Sequence, residues 1–190
     1  MKRLLSVFAI VGCAWVGMPE LTLAQTTGGF TLFGGPQRGY ELDYYLARGK
    51  ADVRDRYELK IPGNKLNAPV TQISIDYPNH YRGQFNTNRV QVVVGNEEKT
   101  LQCQEKSATT QVNPSDNRSA APCLVSWDPE SRSIQIQFTE PVAPRSNVEL
   151  VFDRVKNPVF GGMFNFNCRV STLTGAEFPQ YIGTWVVAID

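Results

Sequence analysis

The sequence predicts an all-β protein built as a two-sheet sandwich, and three observations predict it. Apolar side chains recur at every second position in one run after another, which is the spacing of a strand with one buried face. These runs are short and are separated by turn residues, among them Gly95-Asn96, Asp128-Pro129 and Gly161-Gly162. No ten-residue stretch carries a convincing 3.6-residue period. Eight or nine strands of this kind each have an apolar face to hide, so two packed sheets are expected, in an Ig-like arrangement. A jelly roll or a partly open barrel is the alternative.

The chain opens with an address. Lys2-Arg3, an apolar run from Leu4 to Val16 and a polar segment ending at Thr22-Leu23-Ala24 match a secretory leader cleaved after Ala24. Residues 1–24 are read as that signal peptide and 25–190 as a single β-sandwich domain. The 13-residue apolar run falls short of the ~20 residues a helix needs to cross a bilayer, so no transmembrane span is expected after leader removal. A second reading stays open, because Ile10-Val11-Gly12-Cys13 has the form of a lipoprotein cleavage box with Cys13 acylated. Against it, Ala14-Trp15-Val16 continues the apolar run where a polar tether would begin. Cleavage removes two of the 19 basic and one of the 18 acidic residues, so the remainder is neutral with His80 uncharged. Nucleic acid and anionic membrane are therefore not expected as partners, since no net basic field holds them.

The strands follow in order. Phe30 to Phe33 is a short apolar run between glycine turns, and Tyr40 to Leu46 comes next. Tyr57, Leu59 and Ile61 alternate with Arg56, Glu58 and Lys60, a half-buried strand with a solvated outer face. Ile73, Ile75 and Tyr77 point inward from the next run, and Pro78 ends it. The loop 79–88 leads to a strand at 90–94, and Gly95-Asn96 turns the chain towards Leu101 and Cys103. Residues 124–127 and 134–138 form a hairpin around Asp128 to Arg132. The last run places Trp185, Val187 and Ile189 on one face. A short helical turn is expected, if anywhere, near 42–48 or 62–66.

The stretch 148–170 organises the rest. Val148, Leu150 and Phe152 share a face, Val155 is out of step by one, and Phe164, Phe166, Cys168 and Val170 share a face again. The phase slip predicts a β-bulge near Asp153-Arg154. Pro158 cannot donate to a ladder and Gly161-Gly162 permit positive φ, so the two arms are expected to form a hairpin with its turn between them. The glycines lack the spacing and following helix of a nucleotide loop and are read as turn chemistry.

Three cysteines remain after the leader. Cys103 and Cys123 fall at inward positions of two strands and are expected to pair, since thiols outside the cytoplasm tend to be oxidised. Such a bond closes the polar loop 104–122. Cys168 continues the apolar face of Phe164 and Phe166 and is read as a buried thiol. No Cys-x-x-Cys spacing supports a metal site, and no cofactor is expected.

Catalytic chemistry has little to build on. The single histidine, His80, would have to serve any Ser-His or Cys-His arrangement, yet no nucleophile sits in a recognisable elbow. Asp52, Asp55, Asp76, Asp128 and Glu130 lie in no apolar context that would raise a carboxyl pKa for glycoside chemistry. The Asp and Asn clusters lack the alternating pattern of a calcium loop. Aromatics are the better lead: Tyr40, Tyr44 and Tyr45 form one group, and Tyr77, Tyr81 and Phe85 form another around His80. Exposed rings on a β-sandwich stack on sugars or bury against a partner. Tyr77, His80, Tyr81 and Phe85 are therefore the candidate binding patch.

Three motifs in fixed order carry a family resemblance: residues 75–85 (IDYPNHYRGQF), residues 155–167 (VKNPVFGGMFNFN) and residues 181–185 (YIGTW), with residues 30–36 (FTLFGGP) in the same picture. With these the chain resembles a cyanobacterial family of exported proteins catalogued as domain of unknown function 2808. The resemblance implies an envelope or secreted location and transfers no catalytic residue; the loop 104–122 departs from the family pattern. The expected function is a non-catalytic envelope or periplasmic module for protein interaction or assembly, its partner an envelope protein or a surface polymer. The alternative is a polysaccharide-binding or polysaccharide-acting domain with its site near Tyr77 to Phe85.

Overall fold

From Tyr57 onwards the stretches that alternate in sequence are strands in the computed structural model, which describes residues 36, 38–95, 99–106, 121–173 and 178–190. These hold β1 (Tyr44–Leu46), β2 (Arg54–Ile61), β3 (Val70–Asp76), β4 (Val90–Val94), β5 (Lys99–Glu105), β6 (Cys123–Asp128), β7 (Ser133–Val142), β8 (Val148–Lys156), β9 (Gly162–Thr172) and β10 (Gln180–Ile189). The leader, the run at Phe30 and residues 107–120 of the cysteine-bounded loop lie outside the described residues. Of the two places expected to hold a helical turn, 62–66 has one, a 3-10 turn at Gly63–Lys65, while 42–48 contains β1. No helix among the described residues is long and apolar enough to cross a membrane.

The strands lie in the order β1-β2-β8-β4-β5-β6-β7-β3-β9-β10. This is a two-sheet sandwich whose halves, β1-β2-β8-β4-β5 and β6-β7-β3-β9-β10, are continuous at one corner. There β5 and β6 pair in parallel, while the other ladders among the described strands are antiparallel. Cys103 stands opposite Cys123 in that pair and is bonded to it. On the other side the segment before β1 closes the gap. Leu42 N–H donates to Thr184 O (3.0 Å) and Thr184 N–H donates to Tyr40 O (2.7 Å), after which β1 crosses to β2. Gly183 makes this approach possible, because a Cβ there would lie 2.6 Å from Tyr40 O. A corner on one side and a seam on the other bring the sandwich close to the partly open barrel.

The core lies between the halves. Tyr57, Leu59 and Leu150 come from one half and Ile75, Phe166 and Trp185 from the other, all fully buried. Each such side chain contributes roughly 1.5–3 kcal/mol of burial. Trp185 Nε1 donates across the core to Lys60 O at 3.0 Å, so β10 is tied to β2 by a polar as well as an apolar contact.

The 148–170 stretch departs from expectation in one respect. Its arms are strands, but they do not pair: β8 lies between β2 and β4, and β9 lies between β3 and β10. The connection at 157–161 is an arch from one half to the other, not a hairpin turn. Two apolar faces that both need covering are satisfied by facing each other, and the Phe152 and Phe166 rings both pack on Phe85, at 5.6 and 6.2 Å. Asn157 fixes the arch. Its N–H donates to Val53 O at 2.9 Å, its Oδ1 accepts from Tyr57 Oη at 2.6 Å, and its Nδ2 donates to Lys50 O at 2.7 Å and to Asp55 Oδ2 at 3.2 Å. Bonded in this way to the β1–β2 loop, the chain cannot fold back along β8.

The bulge is where the phase slip places it. Asp55 faces Val155 and Tyr57 faces Phe152, so Arg56 alone opposes Asp153 and Arg154. Arg154 takes φ +57°, the left-handed region, and its side chain is turned out of the sheet.

Candidate functional site

Of the predicted patch, three rings are inside. Tyr77, Tyr81 and Phe85 are 7%, 3% and 6% exposed, packed on one another and on Phe166. His80 is at the surface, stacked on Phe164 at 5.3 Å between centroids. The expectation of a binding patch at Tyr77, His80, Tyr81 and Phe85 is therefore corrected. An irregular loop that closes one end of a sandwich must plug the core with its own side chains, and these rings do so. Their hydroxyls are engaged as well: Tyr81 Oη lies 3.2 Å from Tyr57 Oη, and Tyr77 Oη accepts from Trp127 Nε1 at 2.7 Å. Burial pushes the phenols of Tyr57, Tyr77 and Tyr81 up, so they stay neutral hydrogen-bonding groups. Burial likewise raises the Cys168 thiol, which suppresses the nucleophilic thiolate. In the other aromatic group, Tyr40 stacks on Tyr181 at 5.3 Å, Tyr44 Oη accepts from Ala188 N–H at 3.0 Å, and Tyr45 is exposed.

What does face solvent is a cationic groove built by the bulge. Arg54 at the start of β2 pairs in register with Lys156 at the end of β8, and Arg154 leaves the sheet two residues earlier. With Gln84, Asn86 and Asn88 from the 79–88 loop, Glu105 from β5 and Trp127 from β6, they line a cavity of about 570 Å3. A second cavity of about 490 Å3 lies against Arg48, Arg56 and Asp153, and Arg54 and Arg154 line both. Volumes of about 300–1,000 Å3 are typical of ligand sites.

The charges around it are unevenly matched. Asp55 is buried and turned inward, its carboxylate accepting from the N–H groups of Arg48 (2.9 Å), Gly49 (2.7 Å) and Arg56 (2.8 Å). Arg56 pairs with Glu58 at 2.9 Å, Lys156 with Asp52 at 2.5 Å, and Arg89 with Asp153 at 3.9 Å. The side chains of Arg48, Arg54 and Arg154 make no hydrogen bond or ion pair among the described residues. Glu105 is the one carboxylate that lines the larger cavity. Guanidinium groups, amides and an indole supply donors, acceptors and a ring face to a bound ligand.

Next to the groove stands an apolar tip. The arch after Lys156 exposes Val159 (63%) and Phe160 (83%), and Met163 at the start of β9 is 64% exposed. The tip is held rather than loose: Asp52 N–H donates to Pro158 O at 2.8 Å, and a Cβ at Gly161 would lie 2.5 Å from Ile189 O.

Sequence reasoning located the bulge but missed the groove. The residues of the larger cavity come from β2, the 79–88 loop, β5, β6 and β8, which no local spacing brings together. The one available signal was an arginine sitting on the phase slip.

The family model described as "Protein of unknown function (DUF2808)" matches residues 30–189. No curated protein matches the chain. Among solved structures, the chain is similar to the collagen-binding domain from a Staphylococcus aureus adhesin, at 10% identity over 78% of this chain and 95% of that one, with a TM-score of 0.43. It is also similar to ACE19, the collagen-binding subdomain of the Enterococcus faecalis surface protein ACE, at 9% identity over 76% and 93%, TM-score 0.43. A third is a 35 kDa C-terminal fragment of the major pilin GBS80 of Streptococcus agalactiae, at 11% identity over 82% and 55%, TM-score 0.42.

Proposed function

The chain belongs to the family of proteins of unknown function DUF2808, and from that premise we propose that it is an exported, non-catalytic envelope or periplasmic module that holds a partner protein or a surface polymer. The observation that carries this reading is the apolar tip. Phe160 at 83% exposure, beside Val159 and Met163, is a large hydrophobic surface displayed on a frame fixed by Asn157 and Asp52. Exposed apolar patches on held backbone mark contact sites, and aromatic anchors dominate contact energies. Export is supported by the leader-like residues 1–24 and by the Cys103–Cys123 bond, since such bonds persist in oxidising compartments. A non-catalytic role is supported by the suppressed Cys168 thiolate and by the inward-turned Asp55.

The test is retention of the full chain on envelope material from a producing cell. The double substitution Val159→Ser, Phe160→Ser is expected to weaken retention at least tenfold, the loss of about 1.4 kcal/mol or more from one aromatic anchor, with the melting temperature unchanged. Retention that is indifferent to the tip overturns this reading.

A further inference from the structure

We infer that the groove at Arg54, Arg154 and Lys156 is a binding site for an acidic polysaccharide, its carboxylate or sulfate groups held by the arginines and its rings seated against Trp127. This goes beyond the tip and rests on the reading of an exported module. Three guanidinium groups, Arg48, Arg54 and Arg154, stand around two adjoining cavities and form no ion pair among the described residues; of the carboxylates that line these cavities, Asp55 is taken up by backbone N–H groups and Asp153 by Arg89, which leaves Glu105 in the larger one. Like charges gathered without a partner destabilise a fold, and an anion drawn from outside offsets that. Arginine rather than lysine suits the task, because its planar fork meets an oxyanion with two parallel hydrogen bonds.

The backbone points the same way. Arg154 holds the left-handed conformation, which costs a non-glycine residue on the order of 1 kcal/mol, and strain of this kind collects at binding sites. It is this conformation that sends Arg154 out of the sheet to the shared wall of both cavities.

The remaining lining selects the kind of anion. Gln84, Asn86 and Asn88 offer amide donors and acceptors together, which match hydroxyl groups. Trp127 Nε1 is held by Tyr77 Oη, so the ring has a fixed orientation where it meets the groove, as stacking on a sugar requires. Glu105 accepts from hydroxyls but repels a densely charged chain such as polyphosphate or nucleic acid. A ligand with one anionic group per sugar ring fits both the arginines and the glutamate. Two cavities with a common wall suit an extended chain over a single small ion.

The experiment is affinity electrophoresis of the full chain in gels cast with polygalacturonate, with dextran sulfate, with neutral dextran or with polyphosphate. Retardation is expected in one or both acidic glycans and not in neutral dextran. Retardation by polygalacturonate alone makes the bound group a carboxylate, and by dextran sulfate alone a sulfate. Arg54→Gln with Arg154→Gln is expected to weaken binding at least tenfold, Trp127→Phe to keep most of it and Trp127→Leu to lose it. Polyphosphate that retards the chain as strongly, with no response to Trp127→Leu, overturns the saccharide assignment. A chain that ignores both acidic glycans also overturns it; if that chain is still retained on envelope material through Phe160, the exported-module reading stands without this site.

Discussion

Arg154 is the residue on which structure and proposed function separate most cleanly. A left-handed arginine is conformationally unfavourable, and glycine takes that φ freely. Relief of about 1–2 kcal/mol is partly offset by the larger entropy glycine brings to the unfolded chain, roughly 0.4–1 kcal/mol. Arg154→Gly is therefore expected to raise stability in urea unfolding by roughly 0.5 kcal/mol while weakening retention by acidic glycans. A variant that is destabilised by a kcal/mol or more would show that Arg154 serves the fold, not a ligand. At this scale the sequence was partly legible. A one-residue slip between Phe152 and Val155 suffices to place a bulge, because the strand period is two and any odd insertion reverses every face. Burial of Tyr77 follows from its phase with Ile73 and Ile75, but burial of Tyr81 and Phe85 was not legible. They sit where a strand gives way to an irregular loop, and there no period says which way a ring points.

The β5–β6 pair and the 157–161 arch carry the architecture at the next scale. The corner between the halves rests on three parallel residue pairs, Cys103–Cys123, Gln104–Leu124 and Glu105–Val125. The disulfide spans a sequence separation of 20, and closing a loop of that size stabilises by roughly 3 kcal/mol in the chain-entropy model. Replacing both cysteines by serine is expected to lower unfolding free energy by about that amount, with amide-exchange protection falling first in β5 and β6. A loss well under 1 kcal/mol would mean that the corner is held by packing alone. The cysteine positions were readable because Cys103 and Cys123 both fall on inward phases. The arch carries the sequence signature of a hairpin because Pro158 and Gly161-Gly162 signal a reversal without saying whether it stays within a sheet. Asn157 decides that, through bonds to Lys50, Val53 and Asp55, of which Lys50 lies 107 and Asp55 102 residues away in the chain.

Across the whole molecule, the described strands form one sandwich that places tip and groove side by side. Lys156 lines the groove and the next five residues make the arch, so a single stretch of chain serves both surfaces. The all-β class and the inward faces from Tyr57 to Ile189 follow from alternation alone. The groove does not, since its walls come from segments scattered between Arg54 and Lys156. The near-balance of 19 basic and 18 acidic residues also concealed it, because charge balance over a sequence does not reveal how charge is distributed over a surface. On the proposals made above, binding is localised to this end of the sandwich. Hydrogen-exchange mass spectrometry of the full chain, with and without solubilised envelope polymer, tests it most directly. New protection is expected in 84–88 and 154–163 and not at Gly63–Lys65 or 143–147; protection centred on those latter segments, or none anywhere, would place binding elsewhere on the molecule or rule it out.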